Sequence, residues 1–282
     1  MKQNLRYDLA SAIKTGRLTQ RRLLMSLALL VALLIFISAA AVAVGSEHIP
    51  AGTILRIIWS DITGTSIDAT LEQRIIIADI RLPRVIMAIL VGAALSVAGA
   101  SYQALLRNPL ADPYILGVST GAALGAIAAT VFAESIPVGR PLAAFTGAVL
   151  AIMTVYFLGQ GSRRASTERL ILAGVITNTF LSSVVIFLLT AASGSRLRSV
   201  FSWLIGDLNG EIRLLPIVAV FIIAAIVIIY VNARSLNLMM TGEQEAKALG
   251  VEVERVKVIV YLASSLITGA AVAASGVIGF VG

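Results

Sequence analysis

No cysteine occurs in the 282 residues, which removes disulfides, iron–sulfur clusters and thiol chemistry together. There is one histidine, His48. With no second imidazole to join it, a lone loop histidine reads as an ordinary polar residue and argues against a soluble metalloenzyme. Charged residues make up 13% of the chain, against about 25% in an ordinary soluble domain. None of the four lysines follows a glycine, so the G-x-x-x-x-G-K-[ST] phosphate-binding loop is missing. Inside the long apolar runs there is no Asp, Glu, Lys or Arg. Ion- and proton-coupled carriers generally need such a group, because a charge in the membrane is expensive and kept for function.

What remains is apolar. The chain is 58% hydrophobic with a mean hydropathy of +0.95, and several uninterrupted runs reach the ~20 residues that cross a hydrocarbon core. These features predict an all-α polytopic transmembrane helical bundle. Spans are expected at about 23–45, 85–106, 114–132, 141–159, 170–190, 214–233 and 258–275, seven in all. Residues 1–22 form a cytoplasmic N-terminal segment, and 23–282 the membrane domain. The first apolar run is too long for the core of a signal peptide, so it reads as an uncleaved span held inside by Arg21 and Arg22. With the N-terminus cytoplasmic, the inner side carries 14 Lys and Arg against 7 Asp and Glu, and the outer side 8 against 8. The net charge of +7 therefore sits on one face, as the positive-inside rule requires. It sets orientation in a bilayer and does not indicate nucleic acid.

Residues 46–84 read as an outer loop with a short amphipathic piece at 54–59, a polar turn at 61–64, and Arg81 and Arg84 flanking Pro83 just before the second span. The second and third spans are rich in Gly, Ala and Ser, which lets helix backbones approach closely where lipid offers no hydrophobic gain. Between them, "RNPLADP" places Asn108, Pro109, Asp112 and Pro113 in a rigid inner corner, since two prolines four apart cannot continue a helix. Asn178 is one of few polar residues inside a span, and reads either as pathway lining or as interhelical hydrogen-bonding glue. Trp203, in the outer segment 191–213, reads as an interfacial anchor or as the cap of an outer vestibule.

The stretch 236–256 is a compact polar segment between apolar runs. Thr241 followed by Gln244 has capping-box spacing, and Gly250 supplies a left-handed stop. The eight residues so enclosed predict a helix about 12 Å long. Met239, Gly242, Ala246 and Leu249 fall near one face of it, a small-residue surface suited to docking on another protein, or else to lying flat on the membrane.

Several motifs in one order then carry a resemblance. "RLPR" followed by "GAALSVAGASYQALLRNPLADPYILGVSTGA", then "LAGV", "SWLIGDL", "LNLMMTGEQEAKALGV" and "SGVIGFVG", resembles the permease subunits of ATP-binding-cassette importers for iron–siderophore, haem and cobalamin. The resemblance implies about ten spans per subunit, and a homodimer or a pair with a paralogous permease. It also implies two ATP-binding subunits that carry ATP and Mg, and an extracytoplasmic substrate-binding protein. No cofactor is expected on this chain. The implied site is the inner membrane of a prokaryote. Gly242, Glu243, Ala246, Leu249 and Gly250 match the segment that couples such permeases to the ATPase. Arg81 and Arg84 match arginines that pair with glutamates of the binding protein. Ser166 and Thr167 match a cytoplasmic gate loop, in which Glu168 replaces a hydroxyl residue. Relatives continue past "GFVG", so the expectation is a C-terminally truncated permease of a metal-chelate importer. The alternatives are an ion-coupled secondary carrier and a non-transporting membrane scaffold.

Overall fold

The computed structural model describes residues 20–65, 69–114, 116–132, 139–159, 167–191, 195–208 and 214–279, without the side chains of 167, 168, 191, 195 and 196. All regular structure among the described residues is helical. Contacts divide the chain into two compact units, Met1–Val85 and Ile86–Gly282.

In the first unit, α1 (Gln20–Ala43) is a 24-residue helix with only Val42 buried, about 36 Å long at 1.5 Å per residue and sufficient to cross a bilayer. Helix α2 (Ala51–Thr63) starts after Pro50 and stops at Gly64, whose φ of 72° lets its N–H bond back to the Ser60 carbonyl. It is the amphipathic piece expected from the sequence: Ile54 and Ile57 pack with Val42, Ile49 and Ile77, while Leu55, Trp59 and Ile62 face outward. The third helix, α3, runs unbroken from Leu71 to Leu106. Thr70 and Gln73 cap its start reciprocally.

This corrects the expected loop to residue 84. Glu72, Arg74, Asp79 and Arg81 read as loop by composition, yet they ride on the outer turns of a helix that continues into the second span. Pro83 is accommodated because residues Ile75–Arg81 form a π-helical stretch, with the Leu82 N–H bonding to the Ile77 carbonyl. The widened turn absorbs the donor that proline lacks and the carbonyl its ring would strike.

In the second unit, α4 (Val118–Phe132), α5 (Gly139–Gly159), α6 (Thr167–Ala191), α8 (Leu215–Val231) and α11 (Val253–Ser275) form the bundle, with α7 (Ser195–Ile205) between α6 and α8. Helix α9 (Ala233–Thr241) continues α8 after a 50° bend at Asn232, whose Nδ2 donates to the Ile228 carbonyl. Helix α10 (Glu243–Ala248) leads into α11. Trp203 on α7 is buried in the core, so it is not an exposed interfacial anchor; it lines a pocket with Arg140, Ser202 and Asp207. Phe201, half exposed, is the outward aromatic.

Five described helices are long and apolar enough to span a membrane, and six when the bent pair counts as one span. The expected seventh, at 114–132, shortens to the 15 residues of α4. Its chain is held off helical geometry by Pro113 and by Gly117 at φ 77°. Gly117 lies against Asn178, near the middle of α6, so the non-helical connector 107–117 reaches mid-bundle. Irregular backbone is tolerated at such depth where protein buries it, and Ala111, Leu116 and Val118 are at most 5% exposed.

Helices α4 and α5 touch backbone to backbone. A Cβ on Gly125 would lie 2.0 Å from the Ala143 carbonyl oxygen, and one on Gly147 would lie 2.2 Å from that of Gly121. Polar side chains within the bundle pair across helices: the Tyr102 hydroxyl with Ser265, and Tyr261, stacked on Tyr156, with the Ile152 carbonyl. Gly125→Ala is therefore expected to force α4 from α5 and lower stability by about 1–3 kcal/mol, read as a reduced Tm in detergent. Gly92→Ala on α3, where a Cβ meets nothing within 4 Å, should leave the Tm unchanged.

Candidate coupling site

The segment from α9 to α11 is shaped by its glycines. Gly242 ends α9 at φ 152° and ψ 144°, with its N–H on the Met239 carbonyl. That φ lies in the region side chains rarely adopt, so glycine is required by conformation; the nearest atom to a Cβ there is the tip of the exposed Glu245 side chain, which can move aside. The expected capping box is not formed: Thr241 Oγ1 donates backward to the Leu238 carbonyl at 2.8 Å. A threonine on a helix's last turn has that acceptor within reach, and the Gly242 backbone turn, not a side chain, starts α10. The helix is consequently six residues and about 9 Å long, shorter than the eight expected.

Its end is as expected. Gly250 adopts φ 84°; its N–H bonds to the Lys247 carbonyl and the Val251 N–H to that of Ala246, which is the Schellman pattern.

Ala246 is fully buried in the main core cluster, and Gly242 is buried as well. The small-residue face expected to meet a partner is thus turned inward and seats α10 on its own bundle. Gln244, Glu245, Lys247, Ala248 and Gly250 are exposed, and Leu249 presents a bare apolar side chain at 66% exposure. Of the five expected coupling residues, only Leu249 and Gly250 lie open at this surface.

Glu243 faces inward too. Its Oε2 accepts from Lys257 Nζ at 2.8 Å, and its Oε1 lies 3.6 Å from Arg107 Nη2. The Lys257 side chain is 8% exposed, that of Glu243 26% and that of Arg107 46%. One carboxylate thus touches the first turn of α11 and the corner after α3. A lysine buried to this degree needs a counter-charge, a signal that the sequence contains at the border of its last apolar run. Lys247 adds a surface pair with Glu254 at 3.5 Å.

The corner itself is built as the sequence suggested. Asn108 Oδ1 accepts from the Leu110 N–H at 2.9 Å and Asp112 Oδ1 from the Tyr114 N–H at 2.7 Å, two Asx turns on either side of Pro109 and Pro113. Gln103 Nε2 donates to the Pro109 carbonyl, and Arg107 enters at φ 49°.

The remaining expected residues lie apart from this cluster. Arg81 donates to the carbonyls of Val42, Ala43 and Glu47, holding the end of α1 through charge-assisted bonds to its last carbonyls. Arg84 is exposed and has an interaction partner. Asn178 accepts from the Thr120 hydroxyl, which joins α6 to α4 as interhelical glue. Ser166 lies outside the described residues, and Thr167 opens α6. No group of three or more His, Asp or Glu able to hold a metal exists among the described residues.

The FecCD transport family profile matches residues 30–282. The ABC transporter permease YvrB of Bacillus subtilis (strain 168) is 42% identical over 247 residues, covering 84% of this chain and 69% of its own. The cobalamin import system permease of Halobacterium salinarum is 41% identical over 214 residues, 74% of this chain and 57% of its own. The hemin transport system permease of Yersinia pestis is 39% identical over 210 residues, 72% of this chain and 63% of its own. The chain thus spans between 57 and 69% of these relatives' lengths. Among solved structures, an inward-facing protein assigned to the metal-chelate type of ABC transporter superimposes with a TM-score of 0.72 at 27% identity. The match covers 90% of this chain and 75% of that one.

Gly242→Ala should free α10 from its seat. Hydrogen exchange of the amides of 243–251 is expected to accelerate by about tenfold, equivalent to roughly 1.4 kcal/mol of local stability. Unchanged protection would show that the turn tolerates a side chain.

Proposed function

The chain belongs to the FecCD transport family, and we propose that it is the membrane-spanning subunit of an ATP-driven importer of cobalamin, haem or another metal chelate. As a permease subunit it is not itself catalytic. ATP and Mg are held by two separate ATPase subunits, and the cargo arrives on an extracytoplasmic binding protein. The permease works as a pair, with a second copy or a paralogue. Relatives named for cobalamin and hemin support the cargo class; iron–siderophores share its size and metal-chelate chemistry.

The observation that carries this reading is α10. A short helix with an exposed rim, Gln244, Glu245, Lys247, Leu249 and Gly250, is seated at the foot of α11, the most deeply buried of the long apolar helices among the described residues. Such an element offers a handle to a partner and a rigid link to the bundle. The charge asymmetry of the loops supports a cytoplasmic position for that handle and for the N-terminus.

Closure of the ATPase pair on ATP moves α10, and the bundle alternates between two arrangements with different affinities for the partners. Ser166, with Thr167 at the start of α6, forms the inner gate. Arg84 takes part in docking of the binding protein at the outer loops. Arg81, three residues before Arg84, contributes by fixing the end of α1.

Leu249→Asp is expected to weaken ATPase co-purification by about tenfold, the loss of roughly 1.4 kcal/mol, with no change in Tm. Ala246→Asp should instead lower the Tm, because it buries an unpaired carboxylate. Undiminished co-purification with Leu249→Asp would count against the handle. The reading as a whole is tested by reconstituting the permease with its ATPase and binding protein. Cobalamin, haem or a ferric siderophore should stimulate ATP hydrolysis and accumulate inside the vesicles. A complex that no metal chelate stimulates, these three included, would overturn it.

A further inference from the structure

We infer that Glu243 is a positioning residue with two unequal arms: a firm one to Lys257 that makes α10 and the foot of α11 one body, and a loose one to Arg107 that can open. The inference deepens the proposed coupling role by assigning it a partner inside this chain in place of the ATPase.

The asymmetry follows from burial. Lys257 Nζ and Glu243 Oε2 are 2.8 Å apart, with the lysine side chain 8% exposed. Glu243 is the only carboxylate within ion-pair distance of Lys257 among the described residues. Removing either member leaves the other charge poorly solvated, so the pair resists separation. Arg107 lies at 3.6 Å with 46% of its side chain exposed, where water screens the attraction and ion pairs contribute little.

Three further features serve the firm arm. The Gly242 turn brings Glu243 to face α11. Ala246, fully buried in the main core cluster, keeps that face of α10 turned inward. The Lys247–Glu254 pair adds a second link between the same two elements. The loose arm ends on a corner stiffened by its two Asx turns. Motion of α10 is therefore handed to α11 directly, while the corner after α3 is released or engaged.

The test takes three variants, first in the permease alone and then in the reconstituted complex. In the permease alone, Glu243→Gln should speed hydrogen exchange of the α10 amides by about tenfold. Arg107→Gln should change it by less than about twofold. Equal effects of the two would overturn the asymmetry, whatever the ATPase does.

In the reconstituted complex, Glu243→Gln should retain the ATPase subunit but lose about tenfold in uptake per ATP hydrolysed. The double variant Glu243→Gln/Lys257→Met removes both charges, so its Tm should return to that of the parent while uptake stays low. Recovery of uptake together with Tm would reduce the pair to a stability element. Loss of the ATPase subunit from Glu243→Gln would mean that the carboxylate touches the motor. Either outcome overturns the inference and leaves the importer reading intact, whereas an unmodified complex that fails to hydrolyse ATP on chelate addition would sink the importer reading alone.

Discussion

A lysine ammonium buried at the foot of a long, mostly apolar helix has to be neutralised where it stands. Lys257 is that group, and the carboxylate of Glu243 at 2.8 Å is what neutralises it. The requirement propagates outward. The carboxylate must approach from a segment 14 residues earlier, so the chain between them has to fold back on itself. Gly242 permits the entry turn and Gly250 the exit turn, both at positive φ. Ala246 then has to be small because it lies between α9 and the start of α11. A surface helix this short has no stability of its own in water. Its structure is inherited from the bundle, and that is why it can report the bundle's movement or drive it.

The rest of the second unit is arranged so that such a movement is not lost in soft packing. Helices α4 and α5 meet through glycines at distances that exclude any side chain. Van der Waals contact of this kind substitutes for the hydrophobic drive that lipid removes. Tyr102, Tyr261 and Ser265 tie α3 and α11 through buried hydroxyls. The non-helical connector 107–117 starts at the Arg107 corner and ends beside Asn178 at mid-bundle, so the coupling site and the interior of the bundle are linked by one short covalent path.

Much of this was legible in the sequence. The long apolar runs of α1, α5, α6 and α11, the Gly250 stop and the Asn108–Asp112 corner follow from length, conformational preference and side-chain chemistry that act locally. The misreadings have two causes: a local backbone feature that composition does not reveal, or a partner distant in sequence that decided the outcome. Charged residues 72–81 resembled a loop because composition does not reveal a π-helical turn that lets a helix pass Pro83. Thr241 and Gln244 had capping spacing, but the Leu238 carbonyl competed for the hydroxyl. A stripe of Gly242 and Ala246 suits close packing against any surface, and spacing does not say whether that surface is a neighbour in the same chain or another protein. Lys257 looked like a border charge, and only the fold brought Glu243 to it.

The central claim is that α10 and the foot of α11 move as one. The absence of native cysteine allows spin labels to be placed at single chosen sites. Labels at the exposed positions Gln244 and Arg255 report on the two elements, and a label at Leu158, 60% exposed on α5, gives an outside reference. In the complex with its ATPase, adding ATP should leave the 244–255 distance distribution unchanged while the 244–158 distribution shifts. A shift in the 244–255 distance would contradict the account, because α10 would then be moving against the helix it is said to carry.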